Sequence, residues 1–284
     1  MATSGMVSRR TVLGLLAISP WALGARASRD IPVGLEMFSV RHALEKDPTG
    51  TVRAVAVMGY QCVEFFSPYH DWTESQTHEM RKLLDDLGVR CYSTHNDAAF
   101  LEPDEINRTR DRNLILGTRY VVHADSDNPP ARLDGWKLVA ARVNAAAERL
   151  EPAGLRMGYH NEEVEFVPLE GRRPIEIVAE NTQPSVMLQL DVGTCLEAGS
   201  DPVAWIRAHP GRFHSLHCKD WSPDKAKGYR VLLGEGVGDW KNIFAAAERV
   251  GGVEYYLIEQ EGSRFPELET ARRCLHLYRE MRKE

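Results

Sequence analysis

Leu155-Arg156-Met157-Gly158-Tyr159-His160-Asn161-Glu162-Glu163-Val164-Glu165-Phe166 is the stretch from which the rest of the chain can be read. A short apolar run breaks abruptly into an imidazole, an amide and three carboxylates. Side chains on a strand alternate faces, so His160 and Glu162 are expected to point the same way. Packing gains nothing from such a pair at a strand end, whereas a divalent-metal site needs it. A strand running into an acidic surface loop would look similar in isolation. The pattern, however, recurs further along the chain.

Reading outward, eight β-like runs fall at residues 33–40, 61–66, 89–94, 120–123, 155–160, 186–190, 213–217 and 255–259. Helical stretches are expected at 49–58, 73–87, 104–116, 135–152, 174–181, 202–209, 239–250 and 272–283. Asp201-Pro202 and Asp239 supply helix starts, and Gly88 and Gly251 follow helix ends. Strand and helix alternating eight times predict a single-domain α/β protein, a (β/α)8 TIM barrel, with an open doubly wound sheet as the other solution. A barrel places its chemistry at the C-terminal ends of the strands. His95 and Asp97, His123 and Asp125, His160 and Glu162, Asp191, His217 and Lys219, and Glu259 and Glu261 all follow apolar runs.

The beginning of the chain reads differently. Ser8-Arg9-Arg10-Thr11-Val12-Leu13 is a twin-arginine pattern, an apolar run reaches Leu23, and Ala25-Arg26-Ala27 offers a small-x-small cleavage site. Residues 1–27 are therefore expected to be a twin-arginine signal peptide, residues 28–284 the barrel, and the location periplasmic. Without residues 1–27, which hold three arginines and no acid, the formal charge falls from −6 to −9. That balance argues against a nucleic-acid or anionic-membrane partner, and nothing after the signal is long and apolar enough to span a bilayer. The five cysteines (62, 91, 195, 218 and 274) form neither a C-x-x-C pair nor a disulfide framework and read as small buried residues.

Glu162, Asp191, His217 and Glu259 lie 29, 26 and 42 residues apart, about one βα unit each with an insertion before the last strand. Consecutive strands would deliver three carboxylates and one imidazole to one point. Such a set suits one divalent ion, Mn²⁺, Mg²⁺ or Co²⁺, and Zn²⁺ also fits.

Several segments carry a family resemblance: Gly34-Leu35-Glu36-Met37-Phe38-Ser39-Val40-Arg41, Tyr159-His160-Asn161 with Glu165-Phe166, Gln189-Leu190-Asp191-Val192-Gly193, Ala198-Gly199-Ser200-Asp201-Pro202, His217-Cys218-Lys219-Asp220, Gly234-Glu235-Gly236 with Asp239-Trp240, and Ile258-Glu259. In these the chain resembles the xylose-isomerase-like TIM barrels, a family that includes sugar phosphate isomerases/epimerases. Two departures stand out. Glu162 stands where the related block usually has a second histidine, which favours Glu162 as the metal ligand with His160 beside it; the opposite assignment stays open. Glu36 stands where strand one usually has Gln. The resemblance implies a carbohydrate substrate and a proton transfer alpha to a carbonyl of a keto-sugar or ketoglycoside, through an enediolate. His160, or a glutamate on the opposite face (Glu162 or Glu259), would move the proton, and Lys219 would hold a substrate oxygen. Arg41, Glu64, His95 and Glu36 are the candidate substrate contacts. The same enolate could expel a β leaving group, so a 3-ketoglycoside lyase is the chemical neighbour, and a non-catalytic sugar-binding barrel is the other class. Endonuclease-IV-like DNA repair needs a basic face that this composition lacks. The oligomeric state, homo-oligomer included, is left open.

Gly234-Glu235-Gly236-Val237-Gly238 resembles a phosphate loop but lacks the Walker lysine, and is read as a turn leading to the Asp239 N-cap.

Overall fold

A computed structural model of the protein describes residues 31–124 and 128–283, together with Met1. The expected signal peptide and Asp125 lie outside the described residues. Eight parallel strands close into a barrel in sequence order: β1 (Val33–Glu36), β2 (Cys62–Phe65), β3 (Arg90–Asn96), β4 (Tyr120–His123), β5 (Arg156–His160), β6 (Met187–Asp191), β7 (Ser215–Cys218) and β8 (Tyr255–Ile258). The helices are α1 (Arg41–Lys46), α2 (Pro48–Met58), α3 (Glu74–Leu87), α4 (Ile106–Leu116), α5 (Leu133–Leu150), α6 (Pro174–Asn181), α7 (Val192–Glu197), α8 (Pro202–Ala208), α9 (Trp240–Ala246) and α10 (Glu267–Met281). The (β/α)8 barrel expected from the alternation is the observed fold.

The helix starts follow local chemistry. Thr73 and Gln76 form a capping box on α3, Asp201 accepts from the amides of Val203 and Ala204 with Pro202 in the first turn of α8, and Asp239 caps α9. Each satisfies amides that the helix itself leaves unpaired. Two short helices, α1 and α7, add to those the sequence pattern implies. Both follow directly on strand ends, where the apolar spacing is too brief to show a 3.6-residue period.

The barrel interior has two unlike layers. Toward the N-terminal ends of the strands, Cys62, Tyr120, Val122, Met187, Tyr255 and Leu257 form a buried apolar plug. Gly158 makes room for it: a Cβ there would sit 2.9 Å from Met187 Cε and 3.0 Å from Val122 Cγ2. Above the plug the inward residues are polar, among them Glu36, Glu64, His160, Gln189, Asp191 and His217. The main hydrophobic core lies outside the barrel wall, between strands and helices. All five cysteines are buried and free. Among the described residues no helix is long and apolar enough to cross a membrane.

Candidate active site

Strand register assembles the polar layer. Glu36 of β1 is aligned with Glu64 of β2, His160 of β5 with Gln189 of β6, and Asp191 of β6 with His217 of β7. Neighbouring strands run about 4.8 Å apart, so aligned inward side chains meet. His160, Asp191, His217 and Glu259 each offer a ligand atom within 4.8 Å of the others, and all four are buried.

Three of the four expected metal ligands are thus brought together, with His160 in the place expected for Glu162. The reason is local. β5 stops at His160, so strand alternation does not extend to Glu162, which instead precedes the one-turn 3₁₀ helix Glu163–Phe166. The Glu162 amide donates to Glu165 Oε2 at 2.9 Å, and Glu165 is fixed in turn by Tyr159 Oη at 2.8 Å. The Glu162 carboxylate is left half-buried at the rim, close enough to Lys219, Asp191 and Glu259 to feel their charges.

The hydrogen bonds determine which nitrogen of His160 is available. Glu64 Oε2 accepts from Gln189 Nε2 at 3.0 Å, which turns Gln189 Oε1 toward the histidines. That oxygen contacts His160 Nδ1 at 3.1 Å and His95 Nε2 at 2.7 Å, so both ring nitrogens carry the proton. His160 Nε2 keeps its lone pair and lies 3.9 Å from Asp191 Oδ2. His217 bonds Glu64 Oε1 through Nε2 and Glu259 Oε2 through Nδ1, both at 2.7 Å. Glu64 therefore orients His217 from behind, in the manner of carboxylates that hold ligating histidines. Gln189 is not among the candidates the sequence offers. Its signal was present: an amide two residues from Asp191 in an apolar strand shares the aspartate's face.

Lys219, buried, pairs with Asp191 Oδ2 at 2.8 Å and Glu261 Oε1 at 2.6 Å, and its ammonium stands 4.9 Å from the centroid of the Tyr229 ring. Arg41 sits apart at the mouth, stacked on Phe38 at 4.3 Å and bonded to the Phe38 carbonyl. Phe38 meets Phe66 edge-on. His95, Glu64 and Glu36 lie together on the β1–β3 side.

The electrostatics follow from crowding in a desolvated space. Burial, reinforced by the charges of His217 and His95, holds His160 well below the usual histidine range. Burial opposes charge on His217 and His95 too, but their carboxylate partners lift each to about 9. For Lys219 burial likewise favours the neutral amine, and Asp191, Glu259 and Glu261 outweigh it. Burial lifts Asp191 to about 6 and Glu162 to about 8 in spite of Lys219. Burial, together with the charges of Glu259 and Glu64, pushes Glu36 well up.

The glycine loop has its own explanation. The amides of Gly234, Gly236 and Gly238 donate to the Asp220 carboxylate at 2.8, 3.2 and 3.1 Å, and Trp240 Nε1 adds a bond at 2.8 Å. A Cβ on Gly236 would lie 2.2 Å from Asp220 Oδ1 and 2.3 Å from the Trp221 carbonyl oxygen, so only glycine fits. The anion this loop cradles is the chain's own carboxylate, next to Lys219.

Two imidazoles and two carboxylates, buried and converging, are a donor set that fits a divalent transition-metal ion. Three solved structures share the architecture. A sugar phosphate isomerase/epimerase from Parabacteroides distasonis is 25% identical, with a TM-score of 0.74 over 89% of this chain and 94% of its own. A second Parabacteroides distasonis sugar phosphate isomerase/epimerase is 22% identical, with a TM-score of 0.72 over 87% of this chain and 97% of its own. The IOLI protein, solved with a binding zinc atom, is 14% identical, with a TM-score of 0.71 over 88% of this chain and 98% of its own. Against curated protein sequences the chain finds no match. The model of the xylose isomerase-like TIM barrels matches residues 52–281, and the chain belongs to that family.

Proposed function

We propose that the protein is a divalent-metal-dependent sugar isomerase or epimerase that moves a proton on the carbon next to a carbonyl. The observation that carries this reading is the buried His160–Asp191–His217–Glu259 set with Lys219 and Glu162 at its edge. An ion bound there supplies the Lewis acidity that makes such a proton removable near neutral pH. Two imidazoles among four donors favour Mn²⁺, Co²⁺ or Zn²⁺ over Mg²⁺, which prefers oxygen ligands and retained water.

Each of the other residues then has a task. Gln189 and Glu64 hold His160 and His217 in the ring orientations that leave His160 Nε2 and His217 Nδ1 facing Asp191 and Glu259. With His160 engaged in that way, proton transfer falls to Glu162, which stands outside the four-atom set at the substrate side. Lys219 holds a substrate oxygen, as a buried ammonium fixed by Asp191 and Glu261 can do without reorganising. Phe38, Phe66 and Arg41 form the rim a sugar would cross. The twin-arginine pattern supports a periplasmic role and an unphosphorylated sugar or glycoside.

The test is metal analysis of the purified protein, then incubation with keto-sugars and 3-ketoglycosides in D₂O. Stoichiometric metal with deuterium at the carbon next to the carbonyl is the expected result, and the product separates epimer or isomer from an eliminated aglycone. A metal-loaded protein that exchanges no hydrogen with any of these substrates would point instead to a sugar-binding barrel.

A further inference from the structure

We propose that the cleft between α5 and the β3–α4 connection binds a small apolar carboxylic acid, at a site separate from the metal centre. The cavity measures about 590 Å³, within the range of sites that enclose small molecules. Its origin is a mismatch of lengths. α5 has 18 residues and α4 has 11, so α5 outruns its neighbour by about 10 Å. Over that reach it faces the single 3₁₀ turn Ala98–Leu101 and Pro103 in place of a helix.

The lining selects an apolar body. Leu101, Trp136, Val139, Val143 and Ala146 make the walls, and Tyr159 contributes to the floor from the outer face of β5. The polar ends of both large rings are engaged elsewhere: Trp136 Nε1 donates to the Pro130 carbonyl at 3.1 Å, and Tyr159 Oη donates to Glu165 at 2.8 Å. What they turn to the cavity is their apolar surface. Water finds few partners in such a space, whereas an alkyl or aryl body placed there is removed from solvent.

The rim selects an anionic head. Arg142 and Arg149 stand two helical turns apart on the stripe of α5 that borders the cleft. Arg142 meets Glu102 only at 4.0 Å, and Arg149 has no ion-pair partner among the described residues. Two guanidiniums against one carboxylate leave this rim positive, in a chain whose formal charge is −6. Leu138, 65% exposed, carries the apolar wall out to the same rim. A body in the cleft with one carboxylate at its end meets both parts, since a guanidinium fork takes a carboxylate through paired hydrogen bonds. The barrel wall separates this place from the metal centre: Tyr159 and His160 are consecutive on β5 and point to opposite faces.

The site does not depend on the proton-transfer reading. The experiment is calorimetric titration of the full chain with octanoate and with naphthoate, each beside its neutral counterpart, octanol or naphthylmethanol. Metal-loaded and chelator-stripped protein are both titrated, which tells the cleft from a carboxylate held on the ion. The expected result is one acid per chain in both forms, bound at least about tenfold tighter than its neutral counterpart. Whichever acid binds decides between an alkyl and an aryl body. The preference for the acid should vanish in the Arg142→Gln/Arg149→Gln double variant, whose substitutions lie on the exposed face of α5 and leave its packing intact. Val139→Phe, which narrows the cleft, should weaken acid and neutral compound alike. No saturable binding of either acid at millimolar concentration would overturn the proposal. Binding that requires the ion, or an acid bound no tighter than its neutral counterpart, would overturn it too. So would an acid preference that survives loss of both arginines, or affinities unchanged by V139F.

Discussion

The two ends of one barrel interior solve opposite problems with the same strands. Toward the N-terminal ends, Tyr120, Val122, Met187, Tyr255 and Leu257 pack an apolar plug. Beneath it a small ionic cap ties Glu254 to His214 at 3.1 Å, to Arg119 at 3.2 Å and to Tyr120 at 3.2 Å. Toward the C-terminal ends, Glu36, Glu64, Asp191, His217 and Lys219 are as well buried as the plug. Area removed from water stabilises the first layer, whereas the second layer carries desolvated charge that folding alone does not reward. A layer kept at that cost is expected to matter for ligands, and the plug for stability. Substitutions in the two layers should therefore separate activity from stability.

The largest effect is expected at the polar end. Under the proposed function, Asp191→Asn and His217→Ala should each lower kcat/KM on a responsive keto-sugar by on the order of 10²–10³ or more, with metal binding lost or weakened. Elemental analysis alongside the rate measurement checks this. Asp191→Asn, which keeps the shape of the side chain and an acceptor oxygen, should move the chemical denaturation midpoint less than the plug variants do. A variant that lost its midpoint in step with its activity would collapse the distinction between the layers.

At the apolar end the order reverses. Leu257→Ala should cost about 2–5 kcal/mol, since it opens a cavity in a fully buried layer, while the metal content and rate of the remaining folded protein stay near wild type. Urea denaturation with parallel metal analysis reads both. Loss of bound metal at wild-type stability would show that the plug sets the geometry of the layer above it.

What the sequence disclosed follows the same division. The strands were recognisable because a parallel barrel strand is a short apolar run bounded by turn signals, and the chemistry after each run, from His95 to Glu259, announced the functional end. The signal failed where regular geometry stopped. Glu162 was placed by strand alternation, but β5 ends at His160 and the 3₁₀ turn at Glu163 resets the direction of the side chain. Gln189 was hidden because a single amide in an apolar strand looks like noise until its register with His160 is known. Asp220 was hidden because the glycines that donate to it lie 14 to 18 residues away, on a loop whose path no periodicity encodes. Local pattern discloses elements; partners that meet only through barrel closure need the structure.

The smallest effect concerns the ionic cap. The bond from His214 holds the Glu254 carboxyl down to about 2 against the opposing effect of burial, with Tyr120 and Arg119 assisting. Its folded value is thus below the value of about 4.3 usual for a glutamate in an unfolded chain. The stabilisation it brings is fully present above that value and is lost as the pH falls from about 4.3 toward 2. Because the group is half-buried and screened by solvent, the contribution should not exceed about 1 kcal/mol. Glu254→Gln should flatten the pH dependence of stability across that interval by lowering stability at pH 7 by up to about 1 kcal/mol while leaving it near wild type at pH 2, as read from thermal unfolding at a series of pH values. A slope between pH 4.3 and 2 as steep in the variant as in wild type would remove Glu254 from the account of acid sensitivity. The acid response would then belong to the buried carboxylates of the polar layer, and the two ends would differ in ligand binding alone.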